Sequence, residues 1–294
     1  MSPGPTAADR PDQETCLVRD VEIGDGTVRV TILGEGRPVL FLHGVSAHGR
    51  AWRSVAEAFV AEHPGWMCWL PDLLGRGASE ASPGLSYTLD DEVRRIREVI
   101  RALAPHGGAP RLVAGHSQGA AVALALAGVE PAVRGLLLAN PVATDIRRPP
   151  VLGLLGSEPV RRAVGNMFAP LHGHIGRLVL MRAGGPAFRA PPALVEAYAR
   201  PWADPARART LMRILADWRP ADLEGRMPDR PLAAHVVTGA RDPRIPVVAA
   251  RGLAARLGCD ITVYPDGGHV LTEQYPRRLA RLLAELAAGL TPGC

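Results

Sequence analysis

A serine at the centre of a glycine-bounded turn, Gly115-His116-Ser117-Gln118-Gly119, does most to narrow the folds open to this 294-residue chain. An apolar run, Arg111-Leu112-Val113-Ala114, leads into it, and an alanine-rich stretch from Ala120 to Gly128 with helical character leads out. That is the pattern of a buried strand turning sharply into a helix. Both residues two positions from the serine are glycine, as so tight a turn requires, because a Cβ at either would meet the crowded backbone. The same five residues also suit an ordinary strand-to-helix turn with a capping serine, so the pentapeptide alone does not establish reactivity.

Three distant segments bear on that choice. Arg37-Pro38-Val39-Leu40-Phe41-Leu42 reads as a buried strand running into His43-Gly44-Val45-Ser46, a tight loop suited to aiming backbone N–H groups at a reacting oxygen, with Trp52 shortly after. Ala233 to Gly239 is another buried-strand pattern, and Asp242 stands just past its end in Ala240-Arg241-Asp242-Pro243. Cys259 to Tyr264 alternates as a strand and is followed by Pro265-Asp266-Gly267-Gly268-His269. Serine, aspartate and histidine therefore follow strand ends in the order Ser117, Asp242, His269.

On these residues the chain resembles the α/β-hydrolase superfamily, in its lidded form that includes bacterial esterases, perhydrolases, meta-cleavage-product hydrolases and epoxide hydrolases. The matching positions are His43-Gly44 with Trp52, Asp72-Leu73-Leu74-Gly75-Arg76-Gly77-Ala78-Ser79, the turn at Gly115 to Gly119, Gly239-Ala240-Arg241-Asp242, and Gly268-His269 with Glu273 and Pro276. They extend from about residue 20 to the C-terminus, and their joint order is more specific than any one of them. The stretch from about 142 to 228 matches no fixed pattern. The resemblance implies an α/β fold: a mostly parallel eight-stranded sheet flanked by helices, with an inserted helical cap. It divides the rest of the chain into a core at 16–141 and 229–294 and a helical cap (lid) at 142–228, while residues 1–15, rich in proline and in acidic or small residues, are expected to form a disordered tail. It also favours Asp242 as the acid over Asp145, which follows the sixth strand where some lipase-like relatives carry theirs.

Composition fits one such unit, since 47% of residues are hydrophobic and strand patterns alternate with helical ones. The formal charge of +5 comes entirely from arginine, because the chain contains no lysine. Those arginines are scattered over helical faces and the middle segment, with no basic stripe interleaved with aromatics, so no nucleic-acid partner is expected. Cys16, Cys68, Cys259 and Cys294 are widely spaced and demand neither a disulfide nor a metal. Residues 1–13 lack the basic start and apolar centre of a signal peptide, and no run has the length of a transmembrane helix. The expectation is a cytoplasmic protein with no membrane partner, monomeric or homodimeric.

Along the chain, Leu17–Ile23 and Thr27–Leu33 read as a hairpin, Met67–Leu70 as a strand, and Leu89–Leu103 as a helix with Val93, Ile96, Val99, Ile100 and Leu103 on helical spacing. Val133–Ala139 reads as a further buried strand. The middle segment shows short helical pieces at Leu194–Tyr198 and Ala206–Trp218 and is rich in soft and aromatic side chains. Met167, Phe168, Trp202 and Trp218 there, together with Trp52 and Val270, are candidates for lining an apolar substrate pocket.

The chemistry expected is acyl transfer. Ser117 would be the nucleophile, His269 its base, and Asp242 the group that orients the imidazole and stabilises its cation. The backbone N–H groups of Val45 and Gln118 would meet charge developing on the carbonyl oxygen. His43 reads as a brace for its loop, and His172-Gly173-His174 lacks a third ligand for a metal site. No cofactor and no metal are expected, and the partner is a small-molecule substrate. Relatives with dehalogenase or epoxide-hydrolase activity carry a carboxylate at the nucleophile position, so the resemblance points instead to cleavage of a carboxylic ester, thioester or lactone through an acyl-enzyme. It leaves open carbon–carbon cleavage of meta-cleavage type and a non-hydrolytic binding or rearrangement role, and it is compatible with a perhydrolase side activity.

Overall fold

The computed structural model describes residues 16–82, 84–142, 150–185 and 188–290. The expected tail at 1–15, together with Asp145 and Cys294, lies outside the described residues.

Two strands, β1 (Cys16–Ile23) and β2 (Gly26–Gly34), form the expected hairpin, with Ile23 facing Gly26 across a two-residue turn. Next come β3 (Arg37–Leu42), helix α1 (Arg53–Glu62) and β4 (Trp66–Pro71). A two-residue strand β5 (Glu80–Ala81), which sequence patterning does not reveal, pairs with the start of β2. Helix α2 (Leu89–Leu103) has the bounds its periodicity predicts, and its start is fixed by a capping box between Thr88 and Asp91. The rest of the core is β6 (Leu112–His116), α3 (Gln118–Val129) and β7 (Gly135–Ala139).

Four helices follow before the next strand: α4 (Glu158–Phe168), α5 (His172–Gly184), α6 (Pro192–Ala203) and α7 (Pro205–Asp217). The first two carry no strong signal in the sequence, because glycines and prolines interrupt the apolar spacing of this segment. The chain then closes with β8 (Ala233–Gly239), α8 (Val247–Leu257), β9 (Asp260–Tyr264), the short α9 (Leu271–Gln274) and α10 (Pro276–Gly289).

The sheet runs β1-β2-β4-β3-β6-β7-β8-β9, with β5 off this path. It thus has the eight expected strands plus the two-residue β5. From β4 to β9 the pairing is parallel, whereas β2 meets β1, β4 and β5 antiparallel. Central strands such as β3 and β7 read as unbroken apolar runs because both faces are covered. On β3, Leu40 and Leu42 pack into the layer that holds α2, α3 and α8, while Val39 and Phe41 pack into the layer of α1 and α10. Helix α3 lies against the sheet with Gln118 through Ala127 buried, which is why it shows no polar face.

This order positions the site. β3 lies between β4 and β6, so the connections leaving β3 and β6 diverge at their carboxyl ends and open a crevice there. The register sets Leu42 against Gly115, which brings the His43-Gly44-Val45 loop beside Ser117. Among the described residues, no helix is long and apolar enough to cross a membrane.

Candidate active site

Ser117 occupies the turn between β6 and α3 with φ 56° and ψ −119°, a backbone conformation that strains any residue but glycine. The surrounding fold imposes it. The Ser117 N–H donates to the Ala139 carbonyl, and the Ser117 carbonyl accepts from Ala120 and Val142. The flanking glycines are sterically obligatory, since a Cβ at Gly115 would lie 2.5 Å from the Gly119 carbonyl oxygen and one at Gly119 would run into the Leu42 carbonyl.

His269 and Asp242 arrive from the loops after β9 and β8. The Ser117 hydroxyl donates to His269 Nε2 at 3.0 Å, and His269 Nδ1–H donates to Asp242 Oδ2 at 2.7 Å. All three expected residues therefore meet in one hydrogen-bonded chain. Asp242 also accepts from Asn140 Nδ2 at 2.6 Å and, through Oδ1, from the backbone N–H groups of Arg244 and Ile245 at 2.7 and 3.1 Å. Burial opposes its charge, but the His269 hydrogen bond and charge and these two backbone donors outweigh burial and hold its pKa below the ordinary carboxylate value.

Two buried histidines frame the site and stay neutral. His43 Nε2 accepts from the Leu73 N–H and Nδ1–H donates to the Gly44 carbonyl, each at 2.8 Å, so it braces the loop as expected. Burial, helped by the Arg76 charge, pushes its pKa well down. His116 donates from Nε2 to the His269 carbonyl at 2.7 Å, and burial first, then the nearby His269, lowers its pKa to about 3. Asp72 has a structural use. Its carboxylate accepts from the Gly49 and Ala78 N–H groups, and a Cβ at Gly77 would collide with it.

Val45 lines the cleft beside Ser117, and neither its backbone N–H nor that of Gln118 has a hydrogen-bond partner among the described residues. The Gln118 side chain accepts from Arg76 at 3.0 Å, and Arg76 pairs with Glu92 in a fully buried ion pair.

The cleft over Ser117 is partly open to solvent, and its space together with that open mouth is about 320 Å³. Of the six expected lining residues, Val270 is there and five are not. Trp52 is wholly buried under the sheet against Phe41, with its indole N–H donating to the Leu42 carbonyl. Met167 is 55% exposed on the outer side of α4. Phe168 and Trp202 pack edge to face on each other, 5.8 Å between centroids, and Trp218 packs against the core layer of α2 and α3. Their bulk is used to join helices rather than to contact the cleft. The insertion instead contributes Val179, Ala183 and Tyr198, and the loop after β8 contributes Arg244. Val179 and Ala183 lie on α5, which carries no motif, Tyr198 is one of several aromatic residues of the middle segment with nothing to set it apart, and Arg244 is marked only by its place two residues after Asp242. Asn140 carries no signal in the sequence beyond its place directly after the strand that ends at Ala139. Among the described residues no group of three His, Cys, Asp or Glu side chains is arranged to hold a metal, and His172 Nδ1–H donates instead to the Ala169 carbonyl.

The sequence profile of the alpha/beta hydrolase family matches residues 39–282, and the chain belongs to that family. It is 37% identical to lipase LipV of Mycobacterium tuberculosis over 132 residues, 45% of this chain and 43% of LipV, so the match spans less than half of that relative. It is 25% identical to the magnesium-chelatase 30 kDa subunit of Rhodobacter capsulatus over 98% of this chain and 100% of that one. Among solved structures, an alpha/beta hydrolase fold protein from Burkholderia ambifaria superposes with a TM-score of 0.76 at 24% identity, covering 95% of this chain and 99% of the other.

Proposed function

We propose that this protein is a serine hydrolase that cleaves a carboxylic ester, thioester or lactone of a small substrate through an acyl-enzyme. The observation that carries the reading is the unbroken relay from Ser117 through His269 to Asp242, at 3.0 and 2.7 Å. In it, Ser117 Oγ attacks the carbonyl carbon while His269 Nε2 takes the hydroxyl proton, and Asp242 holds the imidazole and stabilises its cation. The unpaired N–H groups of Val45 and Gln118 receive the oxyanion, each worth roughly 3 kcal/mol in the transition state. On collapse, His269 returns the proton to the leaving alcohol or thiol. Water then adds to the acyl-enzyme with His269 again as base, releasing the acid and restoring the Ser117 hydroxyl. In this reading residues 142–228 form the cap over a core made of 16–141 and 229–294, and the ligand is a small molecule; the compartment proposed is the cytoplasm.

A second reading is favoured by one observation. The relative matched along its whole length is named as a magnesium-chelatase subunit rather than a hydrolase. In that case the fold binds or guides a small molecule without turning it over. A fluorophosphonate probe separates the two. The expected outcome is labelling of the wild type at Ser117, none in Ser117→Ala, and ester turnover reduced by about 10⁴-fold or more in that variant. A folded wild-type protein that neither labels nor hydrolyses short p-nitrophenyl esters transfers the assignment to the binding role, and a preference for dienone substrates over esters assigns carbon–carbon cleavage.

A further inference from the structure

Arg244 lines the cleft that holds Ser117 and His269. Its backbone N–H donates to Asp242 Oδ1 at 2.7 Å, which ties its position to the relay. Its guanidinium forms no hydrogen bond or ion pair among the described residues. By contrast, Arg29, Arg94, Arg95, Arg226 and Arg241 each lie within 3 Å of a carboxylate. The side chain keeps contact with solvent, as a group that meets an incoming ligand must. Loss of water around it lowers its pKa against the opposing pull of the nearby Asp242 charge, and an arginine stays cationic at neutral pH regardless.

The one carboxylate whose charge reaches the Arg244 guanidinium, that of Asp242, already accepts from His269 Nδ1–H, Asn140 Nδ2 and two backbone N–H groups. The other walls of the cleft are largely small or apolar, among them Gly44, Ala47, Val179, Ala183 and Val270, and no carboxylate lines it. Tyr198 is 4% exposed, and its hydroxyl too has no hydrogen-bond partner among the described residues. Burial raises its pKa far above the usual phenol value, so it keeps its proton and acts as a donor. Two donor heads, one of them charged, thus share a mostly apolar cleft with the nucleophile and lack an acceptor. A guanidinium that forms no hydrogen bond or ion pair among the described residues, beside a phenol hydroxyl in the same state, is free to take up an anionic acceptor.

We propose that Arg244, with the Tyr198 hydroxyl as a second donor, anchors a carboxylate on the substrate, so that the ester cleaved at Ser117 carries a free acid group, as in the half-ester of a short dicarboxylic acid. This rests on the serine-hydrolase reading above. It adds one fixed charge to a substrate whose remaining surface meets apolar walls.

The test compares kcat/KM for monomethyl and dimethyl glutarate. The wild type is expected to favour the half-ester by about 10–100-fold, the worth of one or two charge-assisted hydrogen bonds. Arg244→Met is expected to bring the ratio to one or below, Arg244→Lys to keep part of it, and Tyr198→Phe to lower it severalfold. Arg244→Gln serves in the same comparison if Arg244→Met does not fold. A wild-type ratio near one, or a ratio unmoved by loss of the guanidinium, overturns the proposal. Calorimetric titration of Ser117→Ala with glutarate and with inorganic phosphate tests the anchor without turnover. Glutarate binding that disappears in the Ser117→Ala, Arg244→Met double variant supports it. Tighter binding of phosphate, or binding of neither, overturns the carboxylate assignment. If no form hydrolyses either ester, the hydrolase reading fails while the titration still decides the anchor.

Discussion

Four donors converge on Asp242, and only one of them is the histidine it would serve. The Asn140 amide reaches it from the end of β7, a fully buried residue held at φ 43°. Truncation by Asn140→Ala removes a donor from the carboxylate and a support from the Gly268 carbonyl. Turnover is expected to fall about 10-fold with KM little changed, in keeping with 1–2 kcal/mol for one hydrogen bond to a charged group. Steady-state kinetics on a p-nitrophenyl ester checks this.

Glu273 makes a different prediction at the same scale. Burial raises its carboxyl pKa to about 7, and its Oε1 is buried without a hydrogen bond. Between about pH 4.5 and 7 the folded state holds a proton that the unfolded chain has released, so this group lowers stability as pH rises through that window. Above it the penalty is constant at up to about 3 kcal/mol. Glu273→Gln is therefore expected to raise Tm at pH 8 and to leave it nearly unchanged at pH 4. His116 acts in the opposite sense. Its depressed pKa means that the unfolded chain takes up a proton first, so stability is lost as pH falls from about 6.5 towards 3. Melting curves of wild type and Glu273→Gln across pH 4–8 separate the two groups.

At the scale of elements, the turn carrying Ser117 is supported from the side by α2. Glu92 on that helix holds Arg76, which in turn holds the Gln118 side chain at the first turn of α3. Arg76→Met leaves Glu92 buried without its partner and is expected to destabilise the protein by about 3–5 kcal/mol, while a double replacement of Arg76 and Glu92 by apolar residues recovers much of that loss. Chemical denaturation of the single and double variants is the measurement. The His269 loop is fastened from above by α5, whose Ala183 carbonyl accepts the His269 N–H at 2.5 Å. Gln274 bridges the same two elements, accepting from Gly268 N–H and donating to the Gly184 carbonyl. Gln274→Ala is expected to lower kcat by about 3- to 10-fold through a looser imidazole, and added ester substrate does not restore it.

For the molecule as a whole, the helical insertion packs onto the core through a cluster of Leu180, Ala183 and Tyr198 with Ala47, Ala51 and Val270. That cluster joins the first loop, the last loop and the two helices above the cleft. Leu180→Ala is expected to cost about 2–5 kcal/mol where the site cannot collapse.

How far the sequence carried depended on the range of the forces involved. Strand runs such as Val39–Leu42, the capped helix Leu89–Leu103 and the glycines around Ser117 are written in neighbouring residues, because periodicity, caps and backbone crowding act over a few positions. The order of the strands and of the residues that follow them also singles out Ser117, Asp242 and His269. Tertiary structure alone decided the lining of the cleft. Whether an aromatic residue joins two helices or faces a ligand depends on which helix lies opposite, and so Trp52, Met167, Phe168, Trp202 and Trp218 fell elsewhere while Val179, Ala183, Tyr198 and Arg244 came in. Packing partners separated by a hundred residues leave no mark on local composition, and the physical environment of a side chain exists only once the chain has folded around it.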